Sequence, residues 1–319
     1  SGTSFEASDT THSVIFEAGD TICIKSVPSG TPSAPSNIRF SFIVDTLGRQ
    51  EYFYFKTYGA PNATSRYFSS VQHSGRSFTS DVSFFHNKSV FAQDATITQM
   101  LVGLRTAPGA GKSFVFSLYK NTTEEASSQI KISDSDKTGS VTGLSISVTV
   151  GDDIIFSSLP SGTPTADHVQ TTVVVKPKIN GEYSSTSVSL TLGNTGTQWN
   201  RAFCSVCATN TDADDTKVKN ICPPNITMYL LGFYVKVSVA PGAGKSYAFT
   251  MRKNGVDTAV TFTLSDANKT ASDTTHKLDI ESTDKISIKS VPTSTPANTS
   301  GAAFYSKILI PPAKLQANP

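Results

Sequence analysis

In the stretch Lys112-Ser-Phe-Val-Phe-Ser-Leu-Tyr119, Phe114, Phe116 and Leu118 fall at every second position, and Tyr247, Phe249 and Met251 do the same after Lys245. A period of two puts such residues on one face of a strand, so both stretches are predicted to be strands. Glu51-Tyr-Phe-Tyr-Phe-Lys-Thr-Tyr58 alternates in the same way. Lys253-Asn254-Gly255-Val256 carries Asn-Gly, the strongest short hairpin signal, and leads to Val260, Phe262 and Leu264 on one face. Ile22 with Ile24, Ile154 with Phe156, and Ile286 with Ile288 take equivalent inward positions of a further strand, which a proline-bounded polar segment then ends.

Those equivalences rest on internal repetition. Gly19-Asp-Thr-Ile-Cys-Ile-Lys-Ser-Val-Pro-Ser-Gly-Thr-Pro32 recurs as Gly151-Asp-Asp-Ile-Ile-Phe-Ser-Ser-Leu-Pro-Ser-Gly-Thr-Pro164 and as Thr283-Asp-Lys-Ile-Ser-Ile-Lys-Ser-Val-Pro-Thr-Ser-Thr-Pro296, an offset of 132 residues each time. Ala107-Pro-Gly-Ala-Gly-Lys-Ser113 returns as Ala240-Pro-Gly-Ala-Gly-Lys-Ser246, and Ser8-Asp-Thr-Thr-His12 returns as Ser272-Asp-Thr-Thr-His276. Thr57–Phe68 and Thr191–Phe203 correspond near the module starts. The chain therefore reads as all-β tandem modules: complete ones over 46–178 and 179–312, a C-terminal half-module over 1–45 and a tail over 313–319. About eight strands per module suit a jelly roll or related Greek-key sandwich. A half-module leaves an apolar face and a sheet edge to cover, so another chain or a preceding segment is expected to cover Ile22 and Ile24.

Composition agrees with a strand-rich chain. Serine and threonine supply about a quarter of the 319 residues, and only three are methionine. The formal net charge is +2 and no basic run reaches five residues, which argues against nucleic acid as a partner. No apolar stretch nears the ~18–20 residues that a bilayer crossing needs, so no membrane insertion is expected. A chain opening on Ser1 is expected to be processed or part of a longer product.

The combination of Ala-Pro-Gly-Ala-Gly-Lys-Ser, Lys-Asn-Gly, Ser-Asp-Thr-Thr-His and Gly-Asp-x-Ile-x-Ile-Lys-Ser-Val-Pro-Ser-Gly-Thr-Pro resembles β-rich modules of phage and other viral virion proteins, including fibre-like appendages. The resemblance spans most of both complete modules and the half-module and implies a structural role. The module over 46–178 departs from it, lacking Lys-Asn-Gly and carrying Leu144 where His276 stands.

The Gly-Lys-Ser ending of the heptapeptide also matches the tail of a phosphate-binding loop. That loop needs a glycine five residues before the Gly of Gly-Lys-Ser, a preceding strand and a following helix. Thr106 and Val239 occupy the glycine position, and alternating strands come next. Pro-Gly-Ala-Gly is instead predicted to make a hairpin turn. No nucleotide or other cofactor is expected.

Candidate catalytic groups are sparse. Asp9 with His12 and Asp273 with His276 have the spacing of a base and its orienter. An Asp that collects backbone N–H groups in a loop explains the same spacing. His73, His86 and His168 stand alone, so no catalytic residue is assigned and no enzyme is expected. Cys204-Ser-Val-Cys207 with Cys222 admits free thiols or a metal, but a Cys207–Cys222 disulfide is simpler and would contribute about 3 kcal/mol by closing a loop of ~15 residues. Cys23 falls on an outward face with Thr21 and Lys25. Asp212, Asp214 and Asp215 read as a solvated acidic loop rather than a Ca²⁺ site, so no metal is assigned. Asn-x-Ser/Thr sequons at Asn62, Asn87, Asn121, Asn225, Asn268 and Asn298 are glycosylation candidates, in a number only slightly above chance for this composition.

These readings converge on a structural, self-assembling protein of a virion or extracellular surface, whose partners are copies of itself in a particle or filament. The alternative is a receptor- or glycan-binding string, with the ligand held by loops at one end of each sandwich. Trp199 is the chain's one tryptophan, which weakens the glycan reading.

Overall fold

The computed structural model describes residues 52–58, 67–69, 89–165, 169–179, 182–189, 192, 197–201, 211–212, 220–221, 227–281, 284–299 and 301–310. Among the described residues every regular element is a strand and every sheet is antiparallel. In the first unit these are β1 (Tyr52–Tyr58), β2 (Tyr67–Ser69), β3 (Ser89–Val90), β4 (Ala95–Leu104), β5 (Gly109–Lys120), β6 (Thr123–Asp134), β7 (Thr138–Val148), β8 (Asp153–Ser161) and β9 (Val169–Pro177). In the second they are β10 (Glu182–Ser189), β11 (Gln198–Arg201), β12 (Thr211–Asp212), β13 (Asn220–Ile221), β14 (Met228–Val237), β15 (Gly242–Lys253), β16 (Val256–Asp266), β17 (Thr270–Asp273), β18 (Leu278–Ile280), β19 (Lys285–Thr293) and β20 (Ala302–Leu309).

Each unit has two sheets, and strands from the start and end of the unit lie side by side. The first unit has the orders β1-β9-β4-β7 and β2-β8-β5-β6, with β3 also on β8. The second has β10-β20-β14-β17, with β18 on β14, and β12-β11-β19-β15-β16, with β13 on β19.

The alternation seen in the sequence fills the space between the sheets. Phe114, Phe116 and Leu118 of β5 pack with Ile97, Met100 and Val102 of β4 and Val173 and Val175 of β9, which come from the opposite sheet. Tyr247, Phe249 and Met251 of β15 do the same against Phe233 and Val235 of β14 and Phe304 of β20. Ile154, Phe156, Ile286 and Ile288 are buried as expected, as are Val260 and Leu264, while Phe262 is partly buried. Lys253 and Val256 pair across the Asn254-Gly255 turn, which closes the β15–β16 hairpin.

The heptapeptide makes no hairpin, which corrects the turn reading. β4 and β5 lie in opposite sheets, so Pro108-Gly109 carries the chain across the sandwich rather than back along one sheet. The glycines serve a bulge at the start of β5. Gly109 pairs with Asp134, but the next pair is Ser113 with Ser133, so β5 bulges by several residues where β6 advances by one. Gly109 and Gly111 take φ of 98° and 70° there, values open to glycine at no steric cost. β15 repeats the bulge between Gly242 and Ser246.

Residues 1–45, with Cys23, Ile22, Ile24, Asp9 and His12, lie outside the described residues. So do Cys204, Cys207, Cys222, Asn62, Asn87, Asn225, His73, His86, His168, Asp214 and Asp215.

Candidate functional site

The polar side chains with the most defined geometry sit at turns, and they occur in matched pairs. In the first unit Asp134 Oδ1 accepts the Gly111 amide at 2.8 Å, and in the second Asp266 Oδ1 accepts the Gly244 amide at 2.8 Å. Each carboxylate thus satisfies a donor that the bulge removes from the ladder. Both aspartates take positive φ, 54° and 58°, a conformation to which Asp is better suited than most residues.

A second clamp ties the β5–β6 turn to the start of β8. Asn121 Nδ2 donates to Asp152 Oδ1 at 2.5 Å, and Asn121 Oδ1 accepts the Asp153 amide at 3.0 Å. The second unit builds it from Asn254, whose Nδ2 donates to Asp284 Oδ1 at 2.7 Å and whose Oδ1 accepts the Lys285 amide at 2.8 Å. Burial pushes the Asp284 carboxyl up, but hydrogen bonds from Lys253, the Glu281 amide and Asn254 outweigh it and hold the group below its ordinary value. Asp152 is shifted down in the same way, burial opposing and Asn121 and Thr149 prevailing.

Asp273 and His276 do meet. Asp273 Oδ2 lies 2.8 Å from His276 Nδ1 and accepts the Thr261 amide at 3.0 Å. Its Oδ1 accepts the amides of Thr275 and His276 and the Thr275 hydroxyl. Burial raises the carboxyl, and the hydrogen bonds from His276, Thr275 and Thr261 together bring it down to about 2. This is the loop arrangement in which an Asp gathers backbone donors. The Thr275 hydroxyl, Oγ1, lies 3.3 Å from Nδ1, the nitrogen already facing Asp273, so it is not placed for activation through Nε2. In the first unit Val141 pairs with Met100 where Asp273 pairs with Phe233.

Lys112 and Lys245 lie on the bulged starts of β5 and β15, with no helix after either. The described sequon asparagines Asn121, Asn268 and Asn298 are all exposed, and Asn121 donates its amide to Asp152. Asp212 lies in β12. Among the described residues no group of three or more His, Cys, Asp or Glu side chains is close enough to hold a metal ion, and no helix is long and apolar enough to cross a membrane.

The structural use of Asp134, Asp266, Asp152 and Asp284 is absent from the sequence reading. Their signal is present there: each pair recurs at the 132-residue offset, and Asn121 recurs as Asn254.

Neither family models nor curated proteins give a match to this chain. Among solved structures, one similar chain is Clostridium perfringens ZmpB, an M60 catalytic domain with its CBM51-1 and CBM51-2 domains, at 9% identity and a TM-score of 0.20. That match covers 68% of this chain and 32% of the other, so the chain spans about a third of it. Another is the VP2 subviral particle of infectious bursal disease virus, at 11% identity and a TM-score of 0.22, covering 86% of this chain and 76% of the other. Likenesses at these scores carry no argument about fold or function.

Proposed function

We propose that the chain is a structural, self-assembling protein of a virion or extracellular surface filament, made of tandem jelly-roll modules that repeat every 132 residues or so. The observation that carries this reading is where the recurring polar residues go. Asn121 and Asn254, Asp134 and Asp266, and Asp152 and Asp284 all bond to their own unit's turns. A string repeated for catalysis or ligand avidity would instead repeat side chains converging on a loop cluster. Matching clamps and bulges at offsets of 132 or 133 residues support tandem repetition of the module. The two orders β1-β9-β4-β7 and β2-β8-β5-β6 fit the double four-stranded sheet of a jelly roll, an architecture used by viral capsid and by lectin domains. Fold alone does not choose between those uses.

In this reading copies of the chain are its own partners, and the half-module over 1–45 is the first contact to suspect. Light scattering and negative-stain imaging of the purified 319-residue chain over a range of concentrations test it. Regular oligomers or filaments are expected. A monomer at every concentration that binds defined glycans on an array would replace this reading with the receptor-binding one, and a monomer that binds none would sink both.

A further inference from the structure

Tyr234 of β14 and Tyr305 of β20 are cross-strand partners whose rings stack at a centroid distance of 5.1 Å and an angle of 8°. Their neighbours Phe233, Val235 and Phe304 point into the core, so strand alternation turns the tyrosines to the outer face of the sheet. Part of that face is nonetheless covered, and Tyr234 itself is partly buried. Tyr305 is 3% exposed and Ala303 1%, because Val90 and Ala92 of the first unit pack on them. Lys236 lies on the same face, opposite Ala303, and donates to Asp153 Oδ2 at 2.9 Å and to the Gly151 carbonyl at 3.0 Å.

The chemistry divides between adhesion and selection. The apolar stack supplies non-directional attraction. The ion pair is largely buried, with side-chain exposures of 24% for Lys236 and 6% for Asp153. A buried charge that loses its partner is strongly destabilising, so Lys236 requires an acceptor opposite it.

None of these residues is repeated. The cross-strand pairs Tyr234–Tyr305 and Lys236–Ala303 correspond to Leu101–Thr172 and Gly103–Gln170 in the first unit. On the docking end the Asn121 clamp receives the Asp153 amide, and the Asn254 clamp receives the Lys285 amide. The second unit therefore carries a cation where the first carries the carboxylate that pairs with Lys236.

We propose that the outer face of β14 and β20 is a dedicated docking surface for the Asp153 end of the preceding unit, holding the two units as one stiff body and refusing the Lys285 end of another copy. The contact joins unlike surfaces, and a contact of that kind propagates into an open filament wherever the equivalent end also fits. Lys285 against Lys236 would bury two like charges without a partner, a repulsive element of the kind that gives interfaces their specificity. Copies that associate do so through other surfaces. The joint is set within one chain and stands whether or not copies assemble.

The test uses the full chain with Lys236→Glu, Asp153→Lys and the charge-swapped pair, read by small-angle scattering and by nitration of Tyr234 and Tyr305. Each single variant is expected to broaden the distribution of dimensions and to expose both phenols, and the swapped pair to restore the compact profile and the protection. Lys236→Met removes the charge alone and is the milder variant if Lys236→Glu does not fold; it is expected to loosen the joint in the same direction. Folded single variants with unchanged scattering and protected tyrosines would overturn the proposal, as would a swapped pair no better than the singles. If the wild type assembles, Lys236→Glu should leave that assembly intact, and its loss would show that this face is the assembly contact instead.

Discussion

Asn254 Nδ2 donates to Asp284 Oδ1 at 2.7 Å, joining the tip of one hairpin to the start of a strand thirty residues further along the chain. The same asparagine has φ of 54° and accepts the Lys285 amide, so one side chain both permits the turn and anchors it. We expect Asn254→Ala to lose both bonds and to place alanine in the left-handed region, with a combined cost of about 2–3 kcal/mol. Denaturant unfolding of the full chain measures it. Asn254→Gly keeps the backbone and loses only the bonds, so it should cost less; a glycine variant as stable as wild type would mean that the clamp contributes nothing beyond conformation.

Asp273 sets a pH window. Its folded value of about 2 lies below the ordinary Asp value of about 3.9, so its contribution is fully present above about pH 4 and lost as pH falls from there through about 2. One proton taken up on unfolding gives a slope of up to about 1.4 kcal/mol per pH unit in that window. Asp273→Asn should flatten this part of the stability curve and leave the neutral region nearly parallel to wild type. An unchanged acid slope would show that other carboxylates carry it.

The strands are legible because each long one buries a single face. Phe114, Phe116 and Leu118 announce both their period and their direction. The connection at Pro108-Gly109 reads wrongly as a hairpin because Pro and Gly specify a change of direction without saying whether the chain returns to its own sheet or crosses to the other. That choice is made by the register of β5 against β6 and by Asp134, which stands well away in sequence. The joint is illegible for another reason: Lys236 and Asp153 pair across 83 residues and break the repeat instead of obeying it.

Tyr247 provides a comparison between the units. It is fully buried, burial pushes its phenol up to about 12, and its hydroxyl donates to the Ala297 carbonyl at 3.0 Å. Phe114 occupies the matching place in β5. We expect Tyr247→Phe to cost about 1 kcal/mol, the net worth of one hydrogen bond, and Phe249→Ala to cost about 3–5 kcal/mol through the cavity it leaves. Thermal and denaturant unfolding will rank them, and a Tyr247→Phe variant as damaged as Phe249→Ala would mean that the hydroxyl holds more than Ala297.

The sequons should differ in tolerance. Both asparagines, Asn121 and Asn268, are exposed, but a glycan on Asn121 would replace a proton of the amide that donates to Asp152 and crowd a turn that Asn121 holds at φ of 49°. Expressed through a secretory pathway and mapped by mass spectrometry, the folded protein is expected to carry glycan on Asn268 more fully than on Asn121. Full occupancy of Asn121 with unchanged stability would contradict the clamp's importance.

Neither Lys112 nor Lys245 is expected to bind a nucleotide phosphate chain. A phosphate cradle needs consecutive backbone N–H groups turned towards one point and a helix N-terminus behind them. Here the Gly111 and Gly244 amides are already donated to Asp134 and Asp266, so a carboxylate sits where the cradle would hold an anion. The residues after each lysine continue as strands, which supply no helix dipole. ATP or GTP at millimolar concentration should therefore leave the melting temperature unchanged, since a ligand stabilises only a state that it binds. Lys112→Ala and Lys245→Ala should melt within about 0.5 kcal/mol of wild type, as surface substitutions usually do. A nucleotide-dependent rise in melting temperature that disappears in Lys245→Ala would refute this reading of the heptapeptide.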